Sequence, residues 1–127
     1  MKLTRSSDYA VRLLIHLARE GEGTSRKFAR DLKIPFNHLS KVVQTLARKG
    51  YLISRKGKGG GISLAKEPSK IVVGKVIEDV EGPMVLSECI LNLNACSFSK
   101  SCKFRKKLTS IKKCLHDLFS TTISELA

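Results

Sequence analysis

The chain has 127 residues, 42% hydrophobic and 28% charged, with a formal net charge of +13. That length fits one ordinary domain, or a compact unit with an appended helix and loop, and the composition excludes a disordered tail. No apolar run approaches the roughly 20 residues that span a bilayer, and Met1-Lys2-Leu3 leads straight into polar Thr4-Arg5-Ser6-Ser7, so a cytoplasmic protein with no membrane partner is expected.

The positive charge is unevenly placed. Residues 1–70 hold sixteen Lys/Arg against five Asp/Glu, and residues 71–127 hold eight against six. The first half therefore carries the electrostatic footprint of a polyanion-binding surface, although a solubilising surface or an anionic membrane contact would have the same sign.

Ser6 or Ser7 can cap a first helix whose apolar positions Tyr9, Val11, Leu13, Leu14, Leu17 and Ala18 recur at helical spacing until Gly21-Glu22-Gly23. Thr24 or Ser25 then caps a second, short helix through Leu32. Pro35 closes the turn and opens the third helix, Phe36 to about Lys49, with Phe36, Leu39, Val42, Val43, Leu46 and Ala47 on one face. Its other face carries Asn37, His38, Ser40, Lys41, Gln44, Thr45 and Arg48. This is the helix-turn-helix pattern, with the third helix as reader in a DNA major groove and Gly50 as its stop.

Tyr51–Ser54 and Gly61–Leu64 are strand-like runs around Arg55-Lys56-Gly57-Lys58-Gly59-Gly60, a basic, glycine-rich hairpin that reads as a wing. A phosphate-binding P-loop is disfavoured, because no Gly-Lys-[Ser/Thr] ending is present and the glycines lead into a strand. A small acidic helix follows over Ile71 to Val80. Residues 84–102 lack a clear period, with room for a short helical piece before Cys96. From Lys103 to about Leu126 comes the longest periodic stretch. Phe104, Leu108, Ile111, Leu115 and Leu118 make an a/d seam that Phe119, Ile123 and Leu126 widen, and a helix of this kind predicts a homodimer. The fold class expected is mainly α with a small β-hairpin. Residues 1–82 form a winged helix-turn-helix, 83–102 a cysteine-rich loop and 103–127 a dimerisation helix, all in one folding unit.

Cys89, Cys96 and Cys102 are separated by six and five residues, too widely for a redox Cys-x-x-C pair or the usual paired zinc spacing. A looser ring of thiolates suits them, and in a reducing compartment thiols or metal ligands are expected before disulfides. Cys114, beside the seam residue Leu115, reads as a buried small hydrophobe. Zinc held by all four cysteines stays open as an alternative. No histidine sits where it would activate Cys89 as a nucleophile, so no enzyme is expected.

Taken together, Ser7-Asp8-Tyr9-Ala10, Ile34-Pro35 through Leu39, Leu46-Ala47-Arg48-Lys49-Gly50-Tyr51-Leu52-Ile53, the wing Arg55 to Ala65 and the three-cysteine loop resemble the Rrf2 family of bacterial winged-helix transcription regulators over essentially the whole chain. The resemblance implies a dimer, a double-stranded DNA operator and, in many members, an iron–sulfur cluster on three such cysteines that controls DNA affinity. Branches are similar to sensors of nitric oxide, iron supply or cluster supply; others lack a cluster and act through a protein partner.

In the cluster-supply branch a histidine three residues after the last cysteine completes a [2Fe–2S] site, but Arg105 stands there in this chain. The nitric-oxide branch draws the fourth ligand of a [4Fe–4S] cluster from an aspartate of the other subunit, and Asp8 matches that position. The [4Fe–4S] form is therefore favoured, with Cys89, Cys96, Cys102 and Asp8 as the set, although an aspartate in a first helical turn is also stabilised by the helix dipole alone. For DNA, Arg55, Lys56 and Lys58 suit phosphates, with Arg26, Lys27 and Lys41 near the backbone. Asn37, His38, Ser40, Lys41, Gln44 and Thr45 suit base edges. The reading is a repressor controlled by its cluster; the alternative is a cluster-free regulator or adaptor governed by a partner protein or a thiol switch.

Overall fold

A computed structural model describes residues 3–57 and 60–127, with the backbone but not the side chain of Leu118. Seven α-helices and one two-stranded antiparallel sheet make up the described residues. The first helix, α1 (Arg5–Glu20), starts earlier than its serines suggest. Thr4 is the cap, its Oγ1 accepting the Ser7 N–H at 3.2 Å, while Ser7 is fully buried inside the first turn. Gly21 ends the helix at φ 79°, in the region that glycine adopts without strain.

Thr24 caps α2 (Ser25–Leu32) by accepting the Lys27 N–H at 3.1 Å. Lys33 turns the chain in left-handed conformation, Ile34 drops into the core, and Pro35 precedes α3 (Phe36–Arg48). The end of α3 is a Schellman motif: Tyr51 N–H donates to Leu46 O at 2.9 Å and Gly50 N–H to Ala47 O at 3.1 Å, with Gly50 at φ 84°. Phe36 departs from the expected apolar face. It is 40% exposed and is covered by the Arg26 guanidinium, 4.7 Å from its ring centre.

Strands β1 (Leu52–Arg55) and β2 (Gly61–Leu64) pair in the register Leu52↔Leu64 to Arg55↔Gly61. A third segment joins them. Gly23, between α1 and α2, bridges Ile62, its carbonyl accepting the Ile62 N–H at 2.7 Å. A side chain at Gly61 would stand 2.9 Å from that carbonyl, so the close approach needs glycine.

A short 3-10 turn at Pro68–Lys70 leads to α4 (Val73–Glu81), which ends at Gly82. The irregular stretch holds α5 (Glu88–Leu91) and a 3-10 turn at Leu93–Ala95, before α6 (Lys103–Phe119). The expected continuous helix to Leu126 breaks after Phe119, and α7 (Ile123–Leu126) turns back on α1. The hydroxyls of Ser120, Thr121 and Thr122 give the chain local alternatives to helix, and Thr122 caps α7. Tertiary bonds fix the break: Val73 N–H donates to Thr121 O and Ile123 N–H to Ile71 O, both at 2.9 Å. Ile123 is fully buried, which favours the turn by about 1.5–3 kcal/mol. It belongs to the core and cannot widen the seam. That core lies between α1, α3, α4 and the hairpin, around Leu13, Leu14, Phe28, Leu39, Leu46, Ile62 and Val76.

The head is joined to α4 by a polar contact. Buried Tyr51 donates its hydroxyl to Asp79 Oδ2 at 2.6 Å, and Asp79 also meets Lys75 at 3.1 Å. The Tyr51 bond, then Lys75, holds the Asp79 carboxyl below its ordinary value against the opposing effect of burial. Burial and the carboxylate push the Tyr51 phenol up. Tyr51→Phe is expected to cost about 2 kcal/mol at pH 7, since a hydrogen bond to a charged group is removed. A depressed carboxyl contributes stability above its unfolded pKa, near 3.8, and loses it as pH falls through the folded value. The difference between variant and parent in urea unfolding should therefore shrink in acid.

Candidate nucleic-acid interface and cysteine loop

The reading helix divides as its periodicity requires. Leu39, Val42, Val43 and Leu46 are buried, while Asn37, His38, Lys41 and Gln44 are exposed on the opposite side. Ser40 and Thr45 are half-buried, and the Thr45 hydroxyl donates back to Lys41 O at 3.0 Å, leaving its lone pairs to accept from outside. His38 also faces α1, its ring centre 6.2 Å from that of Tyr9. Arg55 and Lys56 are exposed at the wing, where Gly57 turns at φ 90°; Lys58 lies outside the described residues. Arg26 is exposed beside Phe36, whereas Lys27 is committed to Asp31 at 2.9 Å. This places a polar and cationic helix face and a cationic hairpin on one head, the two parts needed to read base edges and hold phosphates.

The cysteine loop is shaped differently. Cys89 sits half-buried in α5 with the Ser87 hydroxyl 3.1 Å from its sulfur, and Cys102 sits half-buried immediately before α6. Cys96 is exposed after the 3-10 turn. All four cysteines are free thiols. Arg105 ties the first to the third: its Nε donates to Cys89 O at 2.9 Å and its backbone N–H to Cys102 Sγ at 3.4 Å. Cys96 is not drawn in, and among the described residues no three His, Cys, Asp or Glu side chains come together as a metal site. Cys114 is exposed, not buried as its neighbour Leu115 suggested, because it lies off the stripe that α6 turns toward α4.

Two features of this loop are not apparent from the cysteine spacing. Ser99, midway between Cys96 and Cys102, is 3% exposed and its hydroxyl has no partner among the described residues. A buried donor without an acceptor costs about 1–3 kcal/mol, so the loop contains an unmet demand for one. The second is local charge. Lys100, Lys103, Arg105, Lys106, Lys107, Lys112 and Lys113 crowd the segment around Cys102 and the first turns of α6, giving an anionic group there a favourable field.

Asp8 stands in the first turn of α1, where both its oxygens accept from the guanidinium of Arg12, one turn on. The pair is about half exposed, so its net contribution is small. Among the described residues no helix is long and apolar enough to cross a membrane.

A mainly helical fold with a reading helix, a basic two-stranded wing and an appended long helix defines a winged helix-turn-helix DNA-binding protein. The chain belongs to the Rrf2 family of transcription regulators: the family model, described as "Iron-dependent Transcriptional regulator", matches residues 3–127. It is similar to the HTH-type transcriptional regulator NsrR of Bacillus subtilis (strain 168), 38% identical over 112 residues, 85% of this chain and 77% of that protein. The NsrR of Geobacillus kaustophilus is 36% identical over 131 residues, 99% and 89% of the two chains. Among solved structures, CymR, the global cysteine regulator of B. subtilis, superposes with a TM-score of 0.77 at 27% identity, over 100% of this chain and 96% of that one. The IscR of T. potens shares the fold, with a TM-score of 0.75 at 24% identity over 99% and 85%. These relatives are transcription regulators and none is named as an enzyme.

Proposed function

We propose that this regulator is a homodimeric repressor whose operator affinity is set by an iron–sulfur cluster held by Cys89, Cys96 and Cys102, with Asp8 of a second copy as fourth ligand and [4Fe–4S] as the favoured form. The observation that carries this reading is the buried, unpartnered Ser99 hydroxyl inside a loop of three free thiols: thiolate or sulfide sulfur would supply the acceptor it lacks. The donor set fits soft-metal chemistry, since cysteine thiolates match iron. When bound, the cluster would supply an iron centre reactive toward nitric oxide or oxygen, and its occupancy would fall when iron is scarce. The chain's own residues do the rest. Cys96 would close toward Cys89 and Cys102, Asp8 would leave Arg12, and the cationic α6 segment would offset the negative charge. Because α1 carries Asp8 and also meets the reading helix through Tyr9 and His38, engagement of Asp8 would be felt at the reader.

Dimerisation is assigned to α6, where Phe104 and Ile111 are 69% and 46% exposed. A groove of about 310 Å³ between α4 and α6 continues this apolar face through Met84, Leu86, Leu115 and Phe119. The test is anaerobic purification with iron and sulfide counting, visible absorbance, and a gel shift on the promoter of its own operon with and without the cluster. A brown protein that shifts a defined operator differently in the two states supports the reading. A protein that stays colourless after reconstitution overturns it and favours a cluster-free thiol switch. That second reading is supported by exposed Cys96 and by the likeness to a protein named as a global cysteine regulator.

The DNA part has its own prediction. Replacing Arg55 and Lys56 together by alanine should weaken binding to all sequences alike and lower the slope of log K against log salt by about 3.6, near 0.9 for each of the four phosphates that the two wings of a dimer no longer neutralise. An unchanged salt slope would remove the wing from the interface.

A further inference from the structure

Among the described residues, the side-chain hydrogen bond that spans the cysteine loop is made by Arg105. Arg105 is half-buried, whereas the neighbouring cations Lys103, Lys106 and Lys107 are exposed. Its Nε donates to the Cys89 carbonyl at 2.9 Å, sixteen positions back in the chain, and its own N–H donates to Cys102 Sγ at 3.4 Å, with Cys102 in the place of a helix cap. One residue is thereby bonded to the first and the third of three thiol-bearing residues. The planar guanidinium suits this work, because its donors are fixed in one fork, whereas a lysine ammonium is a compact point charge on a flexible stem.

The geometry points to Arg105 as a positioning residue of the proposed cluster site: it clasps Cys89 to the first turn of α6 beside Cys102, so that Cys96 alone has to close. Loading a site from three free arms requires ordering the whole loop. With Cys89 and Cys102 already held, the ordering left is that of the arc carrying Cys96 and Ser99. The inference rests on the cluster reading for its purpose, but the clasp is made by the chain's own atoms and can be tested on cluster-free protein.

The first measurement uses reduced, cluster-free protein and compares the rate of iodoacetamide alkylation at Cys89 with that at exposed Cys114, residue by residue, by mass spectrometry. In Arg105→Ala the ratio should rise about tenfold, the effect of losing one charge-assisted hydrogen bond, and in Arg105→Lys, whose flexible ammonium lacks the fixed fork, by a similar factor. Arg105→Gln, which keeps a donor without the charge, should fall between them and the parent. A parent-like ratio in Arg105→Ala overturns the clasp, and a parent-like ratio in Arg105→Lys shows that charge alone suffices and overturns it as well.

The second measurement follows the visible absorbance of anaerobically reconstituted protein under an iron chelator. Bleaching should be about 10-fold faster in Arg105→Ala and Arg105→Lys, the usual scale for removing a group that orients a metal ligand. Equal rates in parent and variants overturn the positioning role. If the parent itself takes up neither iron nor sulfide, the cluster reading fails, and the alkylation ratios alone decide the clasp.

Discussion

Cys96→Ser is expected to leave the purified protein without iron or sulfide while changing its unfolding free energy by no more than about 0.5 kcal/mol, the range of surface substitutions. Cys96 is exposed, lies outside the hydrophobic core and makes no side-chain hydrogen bond among the described residues, so the fold has little stake in its sulfur. The proposed site depends on it, because three thiolates are the minimum set the loop supplies and a serine hydroxyl is a far poorer ligand for iron than a soft thiolate. The check is iron and sulfide per chain after anaerobic reconstitution, alongside urea unfolding of the empty protein. Retention of a parent-like chromophore would exclude Cys96 as a ligand. A large fall in stability would show instead that the loop is a structural element.

Phe28→Ala should have the largest effect on folding, about 3–5 kcal/mol by the usual cost of emptying a buried phenylalanine site. Small domains are stable by only about 5–15 kcal/mol, so a loss of this size takes from about a fifth to all of the margin. Phe28 is fully buried in α2. Its ring meets the edge of His16 from α1 at 5.3 Å between centres, and it lies against Gly23, where an added Cβ would come within 2.7 Å of the ring. It therefore fills the junction of α1, α2 and the segment that bridges the wing. Urea denaturation gives the value. A loss under about 1 kcal/mol would mean that the junction collapses without Phe28.

The reading head was legible in the sequence because its signals are local. Leu39, Val42, Val43 and Leu46 recur at helical spacing, Pro35 and Gly50 mark the ends, and glycines flank the basic wing. Each of these depends on backbone geometry within a few residues. What escaped was decided by distant partners. The break after Phe119 follows from backbone bonds to Ile71 and Val73 and from burial of Ile123, none of which appears in the periodicity of residues 103–126. Phe36 fits the apolar face by spacing but is covered by Arg26 from the neighbouring helix. Thr4 outcompetes two serines as cap because Ser7 is needed inside, where α1 lies on α4. In the candidate site, the thiols were visible as a triplet, and Arg105 only as the absence of a histidine. Its bond to Cys89 joins residues sixteen apart, with no motif to announce it. Ser99 could be recognised only through its burial.

The bridge between Gly23 and Ile62 bears on how such a head can be controlled. The hairpin is moored at one end to α3, through Tyr51, and across its flank to the link between α1 and α2. Among the described residues, reader and wing are thus bonded into a single block. In the proposed homodimer a signal would then act on the spacing and tilt of two such blocks. Its signature would be the loss of simultaneous grip on both half-sites, with the grip on an isolated half-site left intact.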